Sequence, residues 1–312
     1  MFKILSIDGG GIRGIYAAYI LKRIREDINI NFSECFDLIV GTSTGSIIAA
    51  ALANNYPIEK VCDFYIKEGK KIFRKNILSF WKIFGSKYNN KYLAEKLDEV
   101  FGDTKLSDIK NGLIIPATDI GAGRVFCFKS SFHPEFTRDK DIFLRTAVLS
   151  SCSAPCYFDP VICEAPEYWG DDGLPLKNYL LVDGGLWANN PAIVGLTEAF
   201  SRRFQKGRRE VMLMSIGTGI GDQYYSAQKG RSWGLATGWG STKLVDSIFN
   251  IQMQTNDNVV QLILEKDNYL RINFRRNQKL SLDDIKIIPD LIKQAEYDYA
   301  KNKENINKFF QK

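Results

Sequence analysis

One histidine, His133, stands in a chain of 312 residues. That scarcity narrows the chemistry at once, because histidine is the usual general base of hydrolases and the commonest metal ligand. Six cysteines, Cys35, Cys62, Cys127, Cys152, Cys156 and Cys163, form no CxxC pair and share no ligand spacing with a histidine, which argues against a zinc site or a dithiol redox centre. They read as reduced, mostly buried thiols of a cytoplasmic protein. No apolar run approaches the roughly 18 residues of a membrane-spanning helix. The start, Met1-Phe2-Lys3-Ile4-Leu5-Ser6-Ile7, meets Asp8 too soon for a signal-peptide core, so any membrane contact is expected to be peripheral. No Pro- or Ser-rich linker divides the chain, and one domain over 1–312 is expected. The charge is lopsided only mildly: 42 Lys plus Arg against 36 Asp plus Glu, a net +6 that could favour an anionic membrane or nucleic acid and establishes neither, though no nucleic-acid partner is expected.

What is present centres on residues 36–52. Phe36-Asp37-Leu38-Ile39-Val40 reads as a buried strand, Gly41-Thr42-Ser43-Thr44-Gly45 follows, and an Ala/Ile-rich helical run to Leu52 comes next. This is a GxSxG nucleophile elbow. The serine sits on a strained strand-to-helix turn where side chains two residues away on either side would strike neighbouring backbone, and the helix points free N–H groups toward it.

Around the elbow, strands and helices alternate. Lys3–Ile7 reads as a strand, Asp8-Gly9-Gly10-Gly11-Ile12-Arg13-Gly14 as a glycine loop, and Ile15–Ile28 as a helix; Pro57 starts another helix. Leu113–Thr118 and Arg124–Phe128 read as strands joined by a tight connection, Asp141–Leu149 as a helix, and Tyr179–Val182 as a strand ending in Asp183-Gly184-Gly185. Asn189-Asn190-Pro191 opens the helix Ala192–Phe204, and Glu210–Ile216 is a further strand. The alternation predicts an α/β fold with a largely parallel sheet and active groups at the carboxyl ends of its strands, where Asp8, Ser43 and Asp183 all fall. Small residues in Ser150-Ser151-Cys152-Ser153-Ala154-Pro155 would let backbone pass close to something. Lys67–Tyr92 is basic and aromatic, either a membrane-facing flap or helices with inward aromatics and solvated lysines. Ile220–Thr242 reads as a mobile loop, and Ser281–Phe310 as an amphipathic helix with Ile285, Ile288, Leu291, Ile292, Ala295 and Tyr299 on one face.

A serine hydroxyl needs a base. His133, in a Ser-Phe-His-Pro loop, is one candidate; Asp183 is the other, able to act directly if partial burial raises its proton affinity. Gly9, Gly10 and Gly11 expose consecutive N–H groups suited to an oxyanion, with Arg13 adding charge beside them, while Asp8 reads as fixing the turn. The spacing of Gly9, Gly11 and Gly14 also satisfies GxGxxG, a dinucleotide signature. Two features oppose it: Asp8 would face the pyrophosphate, and the second strand ends in Gly41-Thr42-Ser43 instead of an acid for the ribose.

In this order, Asp8 to Gly14, Gly41 to Gly45 and Asp183-Gly184-Gly185, with Ser153-Ala154-Pro155, Tyr157-Phe158-Asp159-Pro160 and Asn189-Asn190-Pro191, the sequence resembles the patatin-like phospholipases over residues 1 to about 220. The resemblance implies a three-layer fold and a core of 1–220 followed by covering or regulatory helices in 221–312. It implies a Ser43–Asp183 catalytic dyad, an oxyanion site of Gly9, Gly10, Gly11 and Arg13, and metal- and cofactor-independent hydrolysis of acyl esters in membrane phospholipids at the inner face of the membrane. Within the family the chain is similar to compact bacterial members that include cyclic-nucleotide-activated effectors of antiphage defence, which makes a cyclic nucleotide a candidate activator and leaves homo-oligomerisation open. The competing readings are an ungated lipase or esterase, and a lipid- or nucleotide-binding protein with a latent hydrolase.

Overall fold

The computed structural model describes residues 1–74, 85–169, 175–222, 225 and 232–312. Among these residues eight strands form one mixed sheet. β1 (Phe2–Ile7) lies at its middle, with β2 (Leu38–Gly41) parallel on one side and β7 (Val211–Ile216) parallel on the other. β3 (Gly112–Asp119) continues the parallel run beyond β2, and β9 (Tyr269–Ile272) continues it beyond β7.

The period-two pattern of these strands explains the layers. Leu5, Ile7, Ile39, Met212 and Met214 point into one apolar cluster; Ile4, Leu38, Val40 and Leu213 point into another. Because both faces of a parallel sheet must be covered, helices flank it on each side. The first cluster is closed by α1 (Gly14–Ile28), α2 (Phe32–Cys35), α3 (Thr44–Ala53), α4 (Ile58–Ile72), α5 (Lys91–Phe101), α6 (Leu144–Cys152) and α10 (Ile288–Gln311), the second by α8 (Ala192–Phe200) and the distal part of α9 (Ser241–Ile263), with the short α7 (Gly185–Ala188) packed against α9. The carboxyl end of the chain packs on its beginning: α10 lies along α1, with Tyr16 donating to Asp298 at 2.8 Å and Tyr299 to Asp27 at 2.8 Å. The helix begins at Ile288 and not at Ser281, because Pro289 suits a first helical turn while Ile285–Ile287 form a separate 3₁₀ turn.

The sheet departs from parallel at the place where it matters most. β4 (Arg124–Lys129) is antiparallel to β3 from Ile114 to Asp119 and occupies one edge of it. β6 (Pro175–Asp183) pairs antiparallel with the end of β3, Ala117 opposite Asp183, and must use the other edge, the one β2 uses lower down from Gly112 to Ile114. β2 therefore runs up that edge and β6 runs down it, and their carboxyl ends meet head-on. β5 (Val161–Trp169) completes the sheet antiparallel to β6.

Of the basic, aromatic stretch 67–92, residues 75–84 lie outside the described residues. In the rest Tyr88 is buried against Phe73 and Phe158, while Lys67, Lys70 and Lys71 face solvent. Within 220–242, residues 223, 224 and 226–231 lie outside the described residues; of the rest, β8 (Ile220–Gly221) pairs with β10 (Arg275–Arg276), and Tyr225, Trp233 and Trp239 form a cluster with ring centroids 5.2–5.7 Å apart.

Candidate active site

Ser43 occupies the gap between the head-on strands. Its φ and ψ are 53° and −128°, a conformation that costs a non-glycine residue on the order of 1–3 kcal/mol and persists only where surroundings enforce it. The enforcement is visible: the Ser43 N–H donates to Ser151 Oγ at 2.9 Å, the Ser151 hydroxyl donates to Pro116 O at 2.6 Å, and the Ser46 hydroxyl donates to Ser43 O at 2.6 Å. Gly45 lets α3 approach β1; a Cβ there would stand 2.3 Å from Ile7 O and 2.7 Å from Asp8 O, both backbone atoms that cannot swing aside. Gly45→Ala is accordingly expected to lower unfolding stability by about 3 kcal/mol, the upper end of overpacking costs, seen as a lower urea midpoint with an unchanged slope.

Asp183, fully buried, ends β6. Its backbone is fixed by Asp183 N–H to Ser153 O at 3.0 Å and by the Thr118 hydroxyl to Asp183 O at 2.9 Å. Oδ1 accepts the Gly185 N–H at 2.7 Å, whereas Oδ2 is enclosed and closes no hydrogen bond of good geometry. Burial pushes the carboxyl up to about 7; the Ser43 hydroxyl and the Gly185 N–H favour the charged form and pull it partly back. A carboxyl poised near neutrality beside a serine is matched to accepting its proton.

The glycine loop lies against the serine, since a Cβ on Gly9 would fall 3.1 Å from Ser43 Cβ. Its four sequence-predicted members differ in what they offer. The Gly9 N–H is occupied, donating to Asn189 O at 2.8 Å, and Gly9 O accepts the Thr218 hydroxyl at 2.6 Å. Arg13 is buried and spent on loop carbonyls, Nε to Gly10 O at 3.1 Å and Nη1 to Gly219 O at 3.0 Å. Among the described residues the Gly10 and Gly11 N–H groups meet no acceptor, and Gly11 holds φ +58°. Asp8 does fix the turn, through a partner that sequence reasoning missed: Arg271 of β9 donates to both its oxygens.

Beside Ser43 opens a groove enclosing about 550 Å³, part of it open to solvent, walled by Ile47, Phe64, Ile72, Phe73, Leu93 and Phe158 among other largely apolar side chains. Cys152 also lines it, but burial raises its thiol and keeps it protonated. His133 is elsewhere. Its ring packs on Phe136 and Phe204, and Phe204 packs on Phe2 at the start of β1, whereas the loop leaves the end of β1. The length of that strand puts His133 roughly 15 Å or more from the serine.

A family model described as "Patatin-like phospholipase" matches residues 5–196. The chain belongs to the patatin-like phospholipase family. It is a serine lipid acyl hydrolase, and a hydrophobic groove lies beside its strained, buried Ser43. The chain is similar to Patatin-like protein 4 of Arabidopsis thaliana, 33% identical with 88% of this chain and 76% of the relative covered. It is 32% identical to a cGAMP-activated phospholipase of Escherichia coli strain TW11681, over 87% of this chain and 79% of that one. The crystal structure of VipD from Legionella pneumophila aligns with 98% of this chain and 66% of its own at 13% identity and a TM-score of 0.45. The matched span of the family model covers the patatin-like loop, elbow and Asp183, but not Arg271 or Leu282, which hold Asp8 and Ile12 of the loop, nor Asn273, which accepts the Gly219 N–H of the neighbouring turn. The signal for Arg271 was the alternation Tyr269-Leu270-Arg271-Ile272, a short strand whose charged member points inward.

No described helix is long and apolar enough to cross a membrane. Among the described residues no three His, Cys, Asp or Glu side chains converge as a metal site would require.

Proposed function

We propose that Ser43 and Asp183 form the catalytic dyad of this acyl hydrolase, acting on membrane phospholipids. Asp183 Oδ2 takes the Ser43 proton as the hydroxyl attacks the ester carbonyl; the negative charge that develops on the carbonyl oxygen falls to the Gly10 and Gly11 N–H groups as preorganised donors. Collapse of the tetrahedral intermediate expels the lysolipid alkoxide, which takes the proton back from Asp183. Water, activated by the same carboxylate, then hydrolyses the acyl-Ser43 ester. Gly9 and Arg13 hold the loop and leave the stabilisation of charge to its neighbours. The observation that carries this reading is the enclosed Oδ2 of a carboxyl raised to about 7 beside the strained serine. Residues 1–312 act as one unit in this scheme, residues after 220 bracing the loop, and the enzyme meets the bilayer peripherally.

Gating by a cyclic nucleotide is a second reading, supported by relatives named cGAMP-activated phospholipases in Escherichia coli and Pseudomonas aeruginosa. It would make the protein a membrane-degrading effector of antiphage defence. Fatty-acid release from mixed phospholipid vesicles, with and without cGAMP and other cyclic nucleotides, tests both readings. Release that starts only on adding a nucleotide supports gating; full release without one removes gating and leaves the dyad standing; none under any condition overturns the phospholipid substrate.

A further inference from the structure

Arg271 belongs to β9, two strands away from the loop that it reaches. In register it lies opposite Ser215 of β7, and Ser215 lies opposite Ser6 of β1, so the side chain crosses β7 to arrive at the end of β1. There Nη1 donates to Asp8 Oδ1 at 3.0 Å and to Ser215 Oγ at 2.7 Å, and Nη2 donates to Asp8 Oδ2 at 2.5 Å. The Asp8 carboxylate is fully buried and the Arg271 side chain is 11% exposed. A strand could end at this point on any turn residue. Enclosing a carboxylate and a guanidinium together is expensive, and what a planar two-point pair adds in return is orientation.

The orientation matters because Asp8 leads directly into the glycine loop. Its own N–H is held by Ile216 O at 3.0 Å and its side chain by Arg271, so both ends of the residue are fixed. The N–H groups of Gly10 and Gly11, two and three residues on, meet no acceptor among the described residues, and Gly11 lines the same groove as Ser43. The loop's other ties act further along: Asn189 O on the Gly9 N–H, Thr218 on Gly9 O, Arg13 on Gly10 O, and Leu282 O accepting the Ile12 N–H at 2.8 Å.

We propose that Arg271 is a positioning residue for acyl transfer: acting through Asp8, it sets where the Gly10 and Gly11 N–H groups stand relative to Ser43. The proposal rests on the oxyanion role given to that loop under Proposed function. Arg271 touches no substrate in this scheme. Its effect is confined to the transition state, because the N–H groups meet full negative charge only there, and a displacement of about 1 Å in such donors can cost on the order of 100-fold in rate.

The test compares wild type with Arg271→Lys, Asp8→Asn and Arg271→Met on a soluble p-nitrophenyl ester, well below each variant's Tm. Inhibition by an alkyl trifluoromethyl ketone, which adds to a serine as a tetrahedral oxyanion, is measured alongside. Arg271→Lys keeps the charge and loses the two-point geometry, so it remains informative even if Arg271→Met fails to fold. The expected result is a kcat lowered about 10- to 100-fold, KM within about twofold, and ketone affinity weakened by a similar factor. A Tm that falls while kcat and ketone affinity stay at wild-type values in Arg271→Lys and Asp8→Asn would assign the pair to stability alone and overturn the proposal. Ser43→Ala is run in parallel: residual hydrolysis there would show that the nucleophile reading had failed, while a dead Ser43→Ala beside a normal Arg271→Lys sinks the positioning role alone.

Discussion

Ser43→Ala is expected to lose about 10⁴- to 10⁶-fold in ester hydrolysis, as removal of a serine nucleophile does elsewhere, while remaining folded. The two halves of that expectation come from different parts of the structure. Activity goes because alanine has no oxygen to attack the carbonyl, and the buried thiol beside the groove, Cys152, is held protonated and makes no substitute. The fold stays because alanine keeps the Cβ and the backbone N–H that Ser151 captures at 2.9 Å. Strain supplies a further check. With φ at 53°, Ser43→Gly removes a conformational penalty on the order of 1–3 kcal/mol and should raise Tm above that of Ser43→Ala. Stopped assays of fatty-acid release together with thermal unfolding of wild type, Ser43→Ala and Ser43→Gly measure all of this. Hydrolysis surviving in Ser43→Ala would mean that another group attacks.

Asp183→Asn is expected to cost about 10⁴-fold in kcat, with His133→Ala near wild type. An amide of the same shape preserves the Gly185 contact at its oxygen but cannot accept the Ser43 proton. The pH profile follows from the carboxyl raised to about 7: below that pH the base is protonated, so wild-type kcat/KM should rise with pH through about 7 and level off above it. Stability runs the other way. A carboxyl whose folded pKa lies above its unfolded value of 3.8 stabilises the fold below pH 4 relative to higher pH, and that contribution is lost as pH rises through about 7. The charged form thus costs on the order of 4 kcal/mol at alkaline pH. Asp183→Asn should therefore unfold at a higher temperature than wild type at pH 8, with the gap closing toward pH 4. A variant both dead and less stable at pH 8 would show that Asp183 is chiefly a structural group.

Much of the parallel half of the sheet was legible because its signals are local. Short apolar runs, Ile4–Ile7 stopped by Asp8 and a glycine run and Leu38–Val40 stopped by Gly41, announce buried strands, and the Gly41–Gly45 spacing announces the elbow. The β5 strand was not anticipated, and β6 was seen only in its last residues. β9 was missed because it is short and carries an arginine that looks exposed until a partner is known.

The chain's composition and motifs by themselves singled out one candidate nucleophile and restricted the candidate bases: one histidine, an elbow serine, and an aspartate followed by two glycines leave few alternatives. Only the tertiary structure decided the rest. It put His133 at the far end of β1, and it brought Asp183 to Ser43 by running two strands head-on along a single edge of β3. It also divided the glycine loop between N–H groups that are occupied and N–H groups that meet no acceptor among the described residues, and placed an arginine from β9 behind Asp8. Motif spacing records what neighbouring residues need of one another, whereas edge sharing, burial and the competition for hydrogen bonds are settled between segments far apart in the chain, where no local pattern carries the information.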